Sequence, residues 1–407
     1  MQTNSAAIDL RREPSDAFIT AVRKKYPVEP EIDHILNRKM TSRAKGGGYT
    51  PISLEALRQG IEALIRSQIG SNFVLDNLRW LPGGFSKIQA AFDLEWASEA
   101  RKAREKTAMV LRMEPPEAIV QTSRRREFEI LKFVNGVVPS APVFWLDHDA
   151  KYLPYPGLIY GFVPGVSMPS GGAQHIKGGQ TVFSPALRAT LSSQFVAHLA
   201  AIHTIPESKL ASLKYFQGGK VGSNESVIRQ VNWWRRVWEE DRPEDVPLVN
   251  VAAQWLIENA PPLDHPSLVH GDFRVGNFLF TEKDARISAW LDWELSVIGD
   301  RHQDIVWAAM PMMTRLAEDN RTELAGGLLS FEDLYRRYEE ASGLAVDPKR
   351  LRYFGVFNDY MATVHMLATA WRVTSLGKTD KDAAVAWISM IGNLAIASLR
   401  NGLEKAL

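Results

Sequence analysis

The chain has 407 residues, of which 45% are hydrophobic, and 48 Lys and Arg residues balance 47 Asp and Glu residues. The formal net charge of +1 argues against binding of nucleic acid through bulk charge, and the length predicts two or more packed subdomains. The absence of cysteine excludes disulfides, thiolate metal sites and a thiol nucleophile. No window approaches the ~20 apolar residues of a membrane span, and no apolar signal peptide is evident, so we expect a cytoplasmic protein with no membrane partner.

The sequence of residues 1–70 predicts a helical extension at the amino terminus. Residues 1–50 combine charge, proline and a glycine cluster, which is typical of a segment that packs on a globular body or partly frays. Ser53 is a suitable N-cap for a helix over 51–69. The apolar residues at helical spacing there are Leu54, Leu57, Ile61, Leu64 and Ile65. The role of residues 1–60 is left open.

Five strand-like segments follow within residues 71–163. They are 73–81, 85–96, 107–113, 141–148 and 156–163. Between the third and fourth, apolar spacing predicts a helix that begins near Ser123 and ends near Gly136. We therefore expect an amino-terminal lobe with a five-stranded antiparallel sheet and one inserted helix.

A glycine- and proline-rich segment, 164–183, marks the predicted boundary with a second lobe over 164–407. One predicted helix follows the Ser184-Pro185 cap, and another begins at Ser223 or Asn224 and runs through Trp238. Later helices are predicted over 302–317, 331–341, 348–372 and 381–404. The fold class is therefore predicted to be α+β, with a mainly helical carboxyl-terminal lobe.

The most informative stretch is 268–300, LVHGDFRVGNFLFTEKDARISAWLDWELSVIGD. It contains Asp272 in a His-Gly-Asp sequence, Asn277 five residues later, and Asp292 after an apolar run. One carboxylate can orient a hydroxyl and accept its proton, and the other two side chains carry oxygens that suit Mg²⁺. Each residue alone is compatible with an ordinary turn or cap, but the ordered set favours a Mg-nucleotide phosphotransferase.

This stretch resembles the aminoglycoside phosphotransferase and choline kinase family, the small-molecule branch of the protein-kinase-like fold. The motifs that carry the resemblance are HGDxRxGN, at 270–277, and LDWExxxxGD, at 291–300. The resemblance covers most of 72–310 and is closest to the subgroup associated with acyl-CoA dehydrogenases. It implies a bilobal fold, ATP and Mg²⁺ as cofactors, and a small-molecule hydroxyl as the phosphoryl acceptor.

The resemblance also implies roles for individual residues. The implied catalytic residues are Asp272 and Arg274, and the implied metal ligands are Asn277 and Asp292. The implied nucleotide-binding residues are Gly83, Gly84, Phe85 and Ser86 in the first turn, Arg112 on the third strand, its helix partner Glu127, and Ile159, Tyr160 and Phe162 in the hinge. Glu129 is the alternative partner for Arg112, which stands where kinases carry lysine. Asp300, Asp304 and His270 are expected to brace the loop.

The acceptor is less well defined by the sequence. Residues 229–240, RQVNWWRRVWEE, are basic and aromatic, which favours an acceptor less cationic than an aminoglycoside. Trp233, Trp234 and Trp238 are interpreted mainly as core. A hydroxyacyl-CoA and an aminoglycoside-like compound are both options, and a non-catalytic pseudokinase or nucleotide-binding module is the alternative function. Metal-assisted hydrolysis of a phosphorylated compound is a third hypothesis. The choice between ATP and GTP and the oligomeric state are left open.

Overall fold

The computed structural model describes residues 9–46, 50–81, 86–97, 104–170, 180–377 and 382–407. Three helices precede the sheet: α1 (Asp16–Lys25), α2 (Pro30–Ala44) and α3 (Leu54–Ile69). The predicted cap of α3 is confirmed, because Ser53 Oγ accepts a hydrogen bond from the Ala56 N–H. The buried face of α3 packs on one side of the sheet.

The amino-terminal sheet has five strands, and all neighbouring strands are antiparallel. They are β1 (Phe73–Trp80), β2 (Ile88–Ala97), β3 (Arg104–Met113), β4 (Val143–Asp147) and β5 (Gly157–Gly161), in the spatial order β1-β2-β3-β5-β4. Helix α4 (Arg124–Val134) lies between β3 and β4 in the chain, and Ser123 caps it by accepting from the Arg126 N–H. The predicted sheet with one inserted helix is confirmed.

The rest of the chain is mainly helical, as predicted. Its helices are α5 (Pro185–His203), α6 (Glu207–Leu210), α7 (Glu225–Asp241), α8 (Pro247–Glu258), α9 (His302–Ala308), α10 (Phe331–Ser342), α11 (Pro348–Val364), α12 (Ala370–Ser375), α13 (Asp382–Met390) and α14 (Gly392–Ala406). Its short strands are β6 (Ser267–Val269), β7 (Phe278–Thr281), β8 (Arg286–Trp290), β9 (Val297–Gly299), β10 (Arg315–Leu316), β11 (Glu323–Ala325) and β12 (Leu329–Ser330).

Two details of the helical lobe differ from the sequence prediction. The helix predicted over 302–317 ends at Ala308, because Pro311 has no N–H to continue it; a 3₁₀ turn and β10 follow instead. Helix α8 was not predicted. The interpretation of Trp233, Trp234 and Trp238 as core is confirmed, since all three are buried.

Helices α2 and α3 contact different parts of the molecule. While α3 covers the sheet, α2 packs on the helical lobe, where Lys39 Nζ lies 2.9 Å from Glu240 Oε2 and 3.1 Å from Asp241 Oδ1. The buried Arg43 pairs with Asp241 and also with Glu117, which follows the sheet strand β3. Helix α2 therefore connects the two lobes through buried ion pairs.

Within the parts of the chain that the structure describes, no helix has the length and apolar character needed to cross a bilayer.

Candidate active site

Two antiparallel strand pairs bring the central motif together. Strand β6 pairs with β9 and strand β7 pairs with β8. Asp272 lies in the loop after β6, Asn277 directly precedes β7, and Asp292 lies just after β8. Residues that are up to twenty positions apart in the sequence therefore meet at the ends of the same short strands.

The loop that carries Asp272 is held by buried hydrogen bonds. Asp304 on α9 accepts from the N–H groups of His270, at 2.7 Å, and Gly271, at 2.8 Å. The Asp272 N–H donates to Nδ1 of His270 at 3.2 Å, so the proton of this ring is on Nε2, which donates to the Leu291 carbonyl at 2.9 Å. The predicted bracing roles of His270 and Asp304 are confirmed.

Asp300 also braces this region. One of its oxygens accepts from His302 Nδ1 at 2.6 Å, and the other pairs with Arg350 on α11. The carboxylate is fully buried, and it joins the start of α9 to α11. The expectation that Asp300 fixes the loop and the next helix is confirmed.

The backbone near the motif requires two left-handed conformations. Gly271 has φ +84°, and a Cβ there would lie 2.6 Å from the Leu295 carbonyl oxygen, so only glycine fits. Asp292 has φ 65° and ψ 44°, a left-handed conformation that aspartate and asparagine tolerate better than most residues. The turn directs the chain from β8 into a short 3₁₀ helix, Trp293–Leu295.

The Asp272 carboxylate receives three N–H donors. Arg274 Nε donates to Oδ1 at 2.8 Å, Asn277 Nδ2 donates to Oδ2 at 2.6 Å, and the indole N–H of Trp307 donates to Oδ1. Burial raises the pKa of Asp272 above its usual value, Arg274 opposes this rise, and Asp292 adds to it. The sequence analysis did not identify Trp307, because an apolar residue in a short helix carries no signal of this contact.

Asn277 and Asp292 have the chemistry required for a Mg²⁺ site. Asn277 uses its amide nitrogen to contact Asp272, and Arg112 contacts Oδ1 of Asp292. Among the described residues, no hydrogen bond involves Asn277 Oδ1 or Asp292 Oδ2, and both side chains line one cavity. In those parts of the chain, no group of three or more Asp, Glu, His or Cys side chains is arranged so that it could hold a metal ion. Asn277 Oδ1 and Asp292 Oδ2 could act as two oxygen ligands, a number that Mg²⁺ accepts when phosphates and water complete the shell.

That cavity lies between the sheet and the central motif and has a volume of about 310 Å³. Its lining is Ser86, Gln89, Arg112, Glu127, Leu131, Ala141, Tyr160, Arg274, Gly276, Asn277, Trp290, Leu291 and Asp292. Both lobes contribute, and the size is at the lower end of the range for small-molecule sites. Most of the predicted site residues that the structure describes therefore meet in one place.

Among the described residues, Arg112 is one of the two arginines that line the cavity. It is buried, its Nη1 lies 3.3 Å from Glu127 Oε1, and its Nη2 pairs with Asp292 and with Glu294. Although burial lowers the pKa of Arg112, the three carboxylates raise it well above the usual value, so the guanidinium is charged. The preferred partner Glu127 is the one found; Glu129 instead accepts from backbone N–H groups near residue 214.

The other side of this charge cluster, formed by Glu294, Lys87, Arg124 and Glu114, was not predicted. Glu294 Oε2 accepts from Lys87 Nζ at 3.0 Å and from Arg124 Nη2 at 3.0 Å, and Glu114 Oε2 lies 3.1 Å from Lys87 Nζ. Burial raises the pKa of Glu294, but Lys87, Arg112 and Arg124 together bring it well below the usual value. Glu294 could have been found from its place in the LDWE motif, whereas Lys87 gives no signal, since lysine is rarely buried.

Of the predicted nucleotide turn and hinge, Ser86 and Tyr160 line the cavity. Gly83, Gly84 and Phe85 lie outside the described residues, whereas Ser86 lines the cavity and its Oγ donates to Glu294 Oε1 at 3.2 Å. Of the hinge residues, Tyr160 lines the cavity. Ile159 is buried in the core of the sheet and Phe162 is 47% exposed, and neither is among the residues that line the cavity.

The structure combines a sheet lobe and a helical lobe with an asparagine and an aspartate in the cleft and a second aspartate hydrogen-bonded to that asparagine. This is the arrangement of protein-kinase-like phosphotransferases. The family described as "Phosphotransferase enzyme family" (APH) matches residues 94–341, which is more than half of the chain. The chain belongs to this family.

Similar proteins include several that are named acyl-CoA dehydrogenases. Acyl-CoA dehydrogenase family member 10 of Mus musculus is 27% identical over 246 residues, which are 56% of this chain and 21% of that protein. Family member 11 of Pongo abelii is 32% identical over 40% of this chain and 21% of its own length. The probable acyl-CoA dehydrogenase IBR3 of Arabidopsis thaliana is 25% identical over 62% of this chain and 32% of its own length. The matched region thus spans only a fifth to a third of these relatives.

Solved structures share the fold. A Ralstonia eutropha protein classed as an aminoglycoside phosphotransferase aligns with a TM-score of 0.61 at 20% identity, over 86% of this chain and 99% of that one. A macrolide 2'-phosphotransferase type I aligns with a TM-score of 0.50 at 18% identity, over 83% and 98% of the two chains. APH(2")-IIIa, solved with GDP and kanamycin, gives the same score at 14% identity, also over 83% and 98%. At these identities the similarity supports the fold alone.

Proposed function

We propose that this protein is an ATP- and Mg²⁺-dependent phosphotransferase that transfers a phosphoryl group to a hydroxyl of a small molecule. The observation that carries the proposal is that Asn277 and Asp292 line one cavity beside the buried cation Arg112. Asp272 does not line this cavity, but its carboxylate is hydrogen-bonded to Asn277 and to Arg274, which do. Phosphoryl transfer requires alignment of donor and acceptor and neutralisation of charge, and these side chains provide both.

Each residue has a defined task in the proposed reaction. The acceptor oxygen forms a bond to the γ-phosphorus, the bond to the bridging oxygen breaks, and ADP leaves. The hydroxyl proton passes to Asp272, whose carboxylate Arg274 and Asn277 hold in place. Asn277 and Asp292 would hold Mg²⁺, which supplies positive charge against the phosphate oxygens when bound.

Arg112 takes the role that kinases give to lysine. Its guanidinium contacts Asp292, and nucleotide phosphates would take the place of that carboxylate as its partner. Glu127 and Glu294 remain beside Arg112 and keep it oriented. The planar guanidinium can bind two phosphate oxygens at once, so arginine is compatible with the role.

The acceptor class rests on the names of the similar proteins and on charge. The relatives named as acyl-CoA dehydrogenases favour a hydroxyacyl-CoA, whereas the family as a whole also includes an aminoglycoside-like acceptor as an option. The cationic side chains of α7 are neutralised, because Arg235 pairs with Glu239 and Arg236 pairs with Glu240 and Asp33. The basic sequence of α7 therefore gives no argument for an anionic acceptor, and substrate assays decide.

The test measures nucleotide binding first and transfer second. Mg-ATP is expected to raise the Tm of the purified protein. ADP release is then measured with 3-hydroxybutyryl-CoA, kanamycin and choline as acceptors, and mass spectrometry detects the phosphorylated product of each. Asp272→Asn is expected to lower kcat about 100-fold or more, the usual weight of a general base. Asp284→Asn, on the exposed β7–β8 turn, is the matched control and is expected to behave as wild type.

Three outcomes separate the competing functions. Absence of Mg-nucleotide binding by calorimetry favours a non-catalytic pseudokinase. Phosphate release from a phosphorylated compound without ADP formation favours metal-assisted hydrolysis. Transfer that proceeds as fast with Asp272→Asn as with wild type would exclude Asp272 as the base.

A further inference from the structure

The hydrogen bonds to Asp272 leave very little of its carboxylate available. A carboxylate has two oxygens with two lone-pair sites each. Oδ1 accepts from Arg274 Nε at 2.8 Å and from the indole N–H of Trp307, so both of its sites are used. Oδ2 accepts from Asn277 Nδ2 at 2.6 Å. With the donors of the described residues counted, one site remains, and it is on Oδ2.

The helix that provides Trp307 also holds the loop. Trp307 and Asp304 are three residues apart on α9, a spacing that places both side chains on one side of a helix. Asp304 accepts from the backbone N–H groups before Asp272, and Trp307 donates to the Asp272 side chain. The indole ring is buried, 7% exposed, in the core cluster formed with α7 and α11. One packed helix thus fixes both the backbone and the carboxylate of the base.

We infer that Trp307 is a positioning residue: its indole N–H occupies Oδ1 of Asp272, so that the acceptor hydroxyl is received by Oδ2 alone. The inference rests on the proposed function and specifies its proton transfer, since the proton released as the new O–P bond forms goes to Oδ2. Without the indole donor, Oδ1 regains a free site, and a hydroxyl bound there is displaced by the width of the carboxylate from the productive position. Misplacement by about 1 Å can lower the rate about 100-fold.

The first test is Trp307→Phe, which keeps an aromatic ring and removes the donor. With the member of the acceptor panel that wild type phosphorylates fastest, kcat is expected to fall about 10- to 100-fold, because correct alignment of the base is lost. The KM for ATP is expected to stay within about two-fold of wild type, because Trp307 does not line the nucleotide cavity. A general structural defect would change both constants.

A matched control and an isosteric analogue keep the test independent of folding. Trp96→Phe removes an indole N–H that donates to Thr107 Oγ1 at 3.1 Å on the sheet, outside the cavity, and should leave kcat unchanged. If Trp307→Phe does not fold, β-(3-benzothienyl)alanine at position 307 retains the shape of tryptophan with sulfur in place of the N–H. It is expected to show the same loss of kcat.

A spectroscopic measurement tests the contact without activity. In the NMR spectrum of ¹⁵N-tryptophan-labelled protein, the indole N–H signal that is missing from Trp307→Phe belongs to Trp307. Asp272→Asn is expected to move that signal upfield, because the substitution removes the charged acceptor. An unmoved signal would overturn the contact. If wild type phosphorylates an acceptor and both position-307 variants retain its kcat, the inference is wrong. If wild type does not bind Mg-ATP by calorimetry while the indole signal moves as expected, the proposed function fails and the contact stands.

Discussion

Replacement of Arg43 by alanine tests whether α2 is an integral part of the fold. The Arg43 guanidinium makes a two-pronged contact with Glu117, at 2.9 and 2.6 Å, and its Nη2 also donates to Asp241 at 2.8 Å. Its Nη1 donates to two backbone carbonyls, each at 2.9 Å. The side chain is 1% exposed, so its removal leaves the buried Glu117 carboxylate without this partner, while Asp241 retains Lys39. Loss of one member of a buried ion pair costs about 3–5 kcal/mol.

The expected change in Tm follows from the size of the chain. An unfolding entropy of ~2.1 cal/mol/K per residue gives about 0.85 kcal/mol/K for 407 residues. A loss of about 3–5 kcal/mol then lowers Tm by roughly 4–6 °C. Differential scanning calorimetry resolves a shift of this size, and the first unfolding transition is the one to follow.

The matched control is Arg400→Ala, which removes the same side chain from an exposed pair. Arg400 Nε lies 3.9 Å from Glu404 Oε1, and the two side chains are 63% and 66% exposed. The expected change in Tm is below about 1 °C, because such pairs contribute at most about 1 kcal/mol. If Arg43→Ala shifts Tm no more than Arg400→Ala does, α2 does not hold the lobes together through this pair and the reasoning is refuted.

Three further substitutions have expected outcomes of different kinds. Gly271→Ala is expected to abolish phosphoryl transfer and lower Tm, because residue 271 has a positive φ and the new Cβ would lie 2.6 Å from a backbone carbonyl oxygen. Normal kcat and KM values for this variant would contradict the prediction. Glu127→Gln is expected to raise the KM for ATP roughly ten-fold, an effect of ~1.4 kcal/mol, because Arg112 loses a charged partner. Glu129→Gln should leave the KM for ATP unchanged, and equal KM values for the two variants would count against the Arg112–Glu127 pair. Asp359 is buried, and burial raises its pKa to about 6 from 3.8 unfolded, so the contribution of Asp359 to stability is expected to fall as pH rises between about 4 and 6. Asp359→Asn should remove this contribution to the pH dependence and raise the free energy of unfolding by up to ~3 kcal/mol at pH 8. Unfolding by denaturant at several pH values measures the difference, and parallel pH profiles for wild type and variant would refute the prediction.

The sheet and the central motif were predictable because local sequence determines them. Alternating strands, the Ser123 cap and the spacing of the motif appear in short windows, and the structure agrees with each. The helix predicted over 302–317 was wrong because the apolar spacing was followed beyond Pro311. A residue without a backbone donor outweighed the apolar spacing there.

Contacts that depend on long-range packing were not predictable. Helix α2 looks polar in the sequence because Lys39 and Arg43 are buried only through partners about 200 and 74 residues away. The contact of Trp307 with Asp272 likewise depends on how α9 packs on the loop. In each case the side chain is ordinary in its local window, and its partner is specified only by the assembled fold.

The left-handed backbone at Asp292 limits how this protein can lose its chemistry in evolution. Asparagine and glycine adopt φ near 65° more readily than other residues, so they are the replacements that the turn tolerates best. A lineage released from selection for catalysis would therefore retain a normal fold most easily with asparagine or glycine at this position. A descendant of that kind would differ from an active enzyme by one small substitution, and scores of overall similarity would not separate the two.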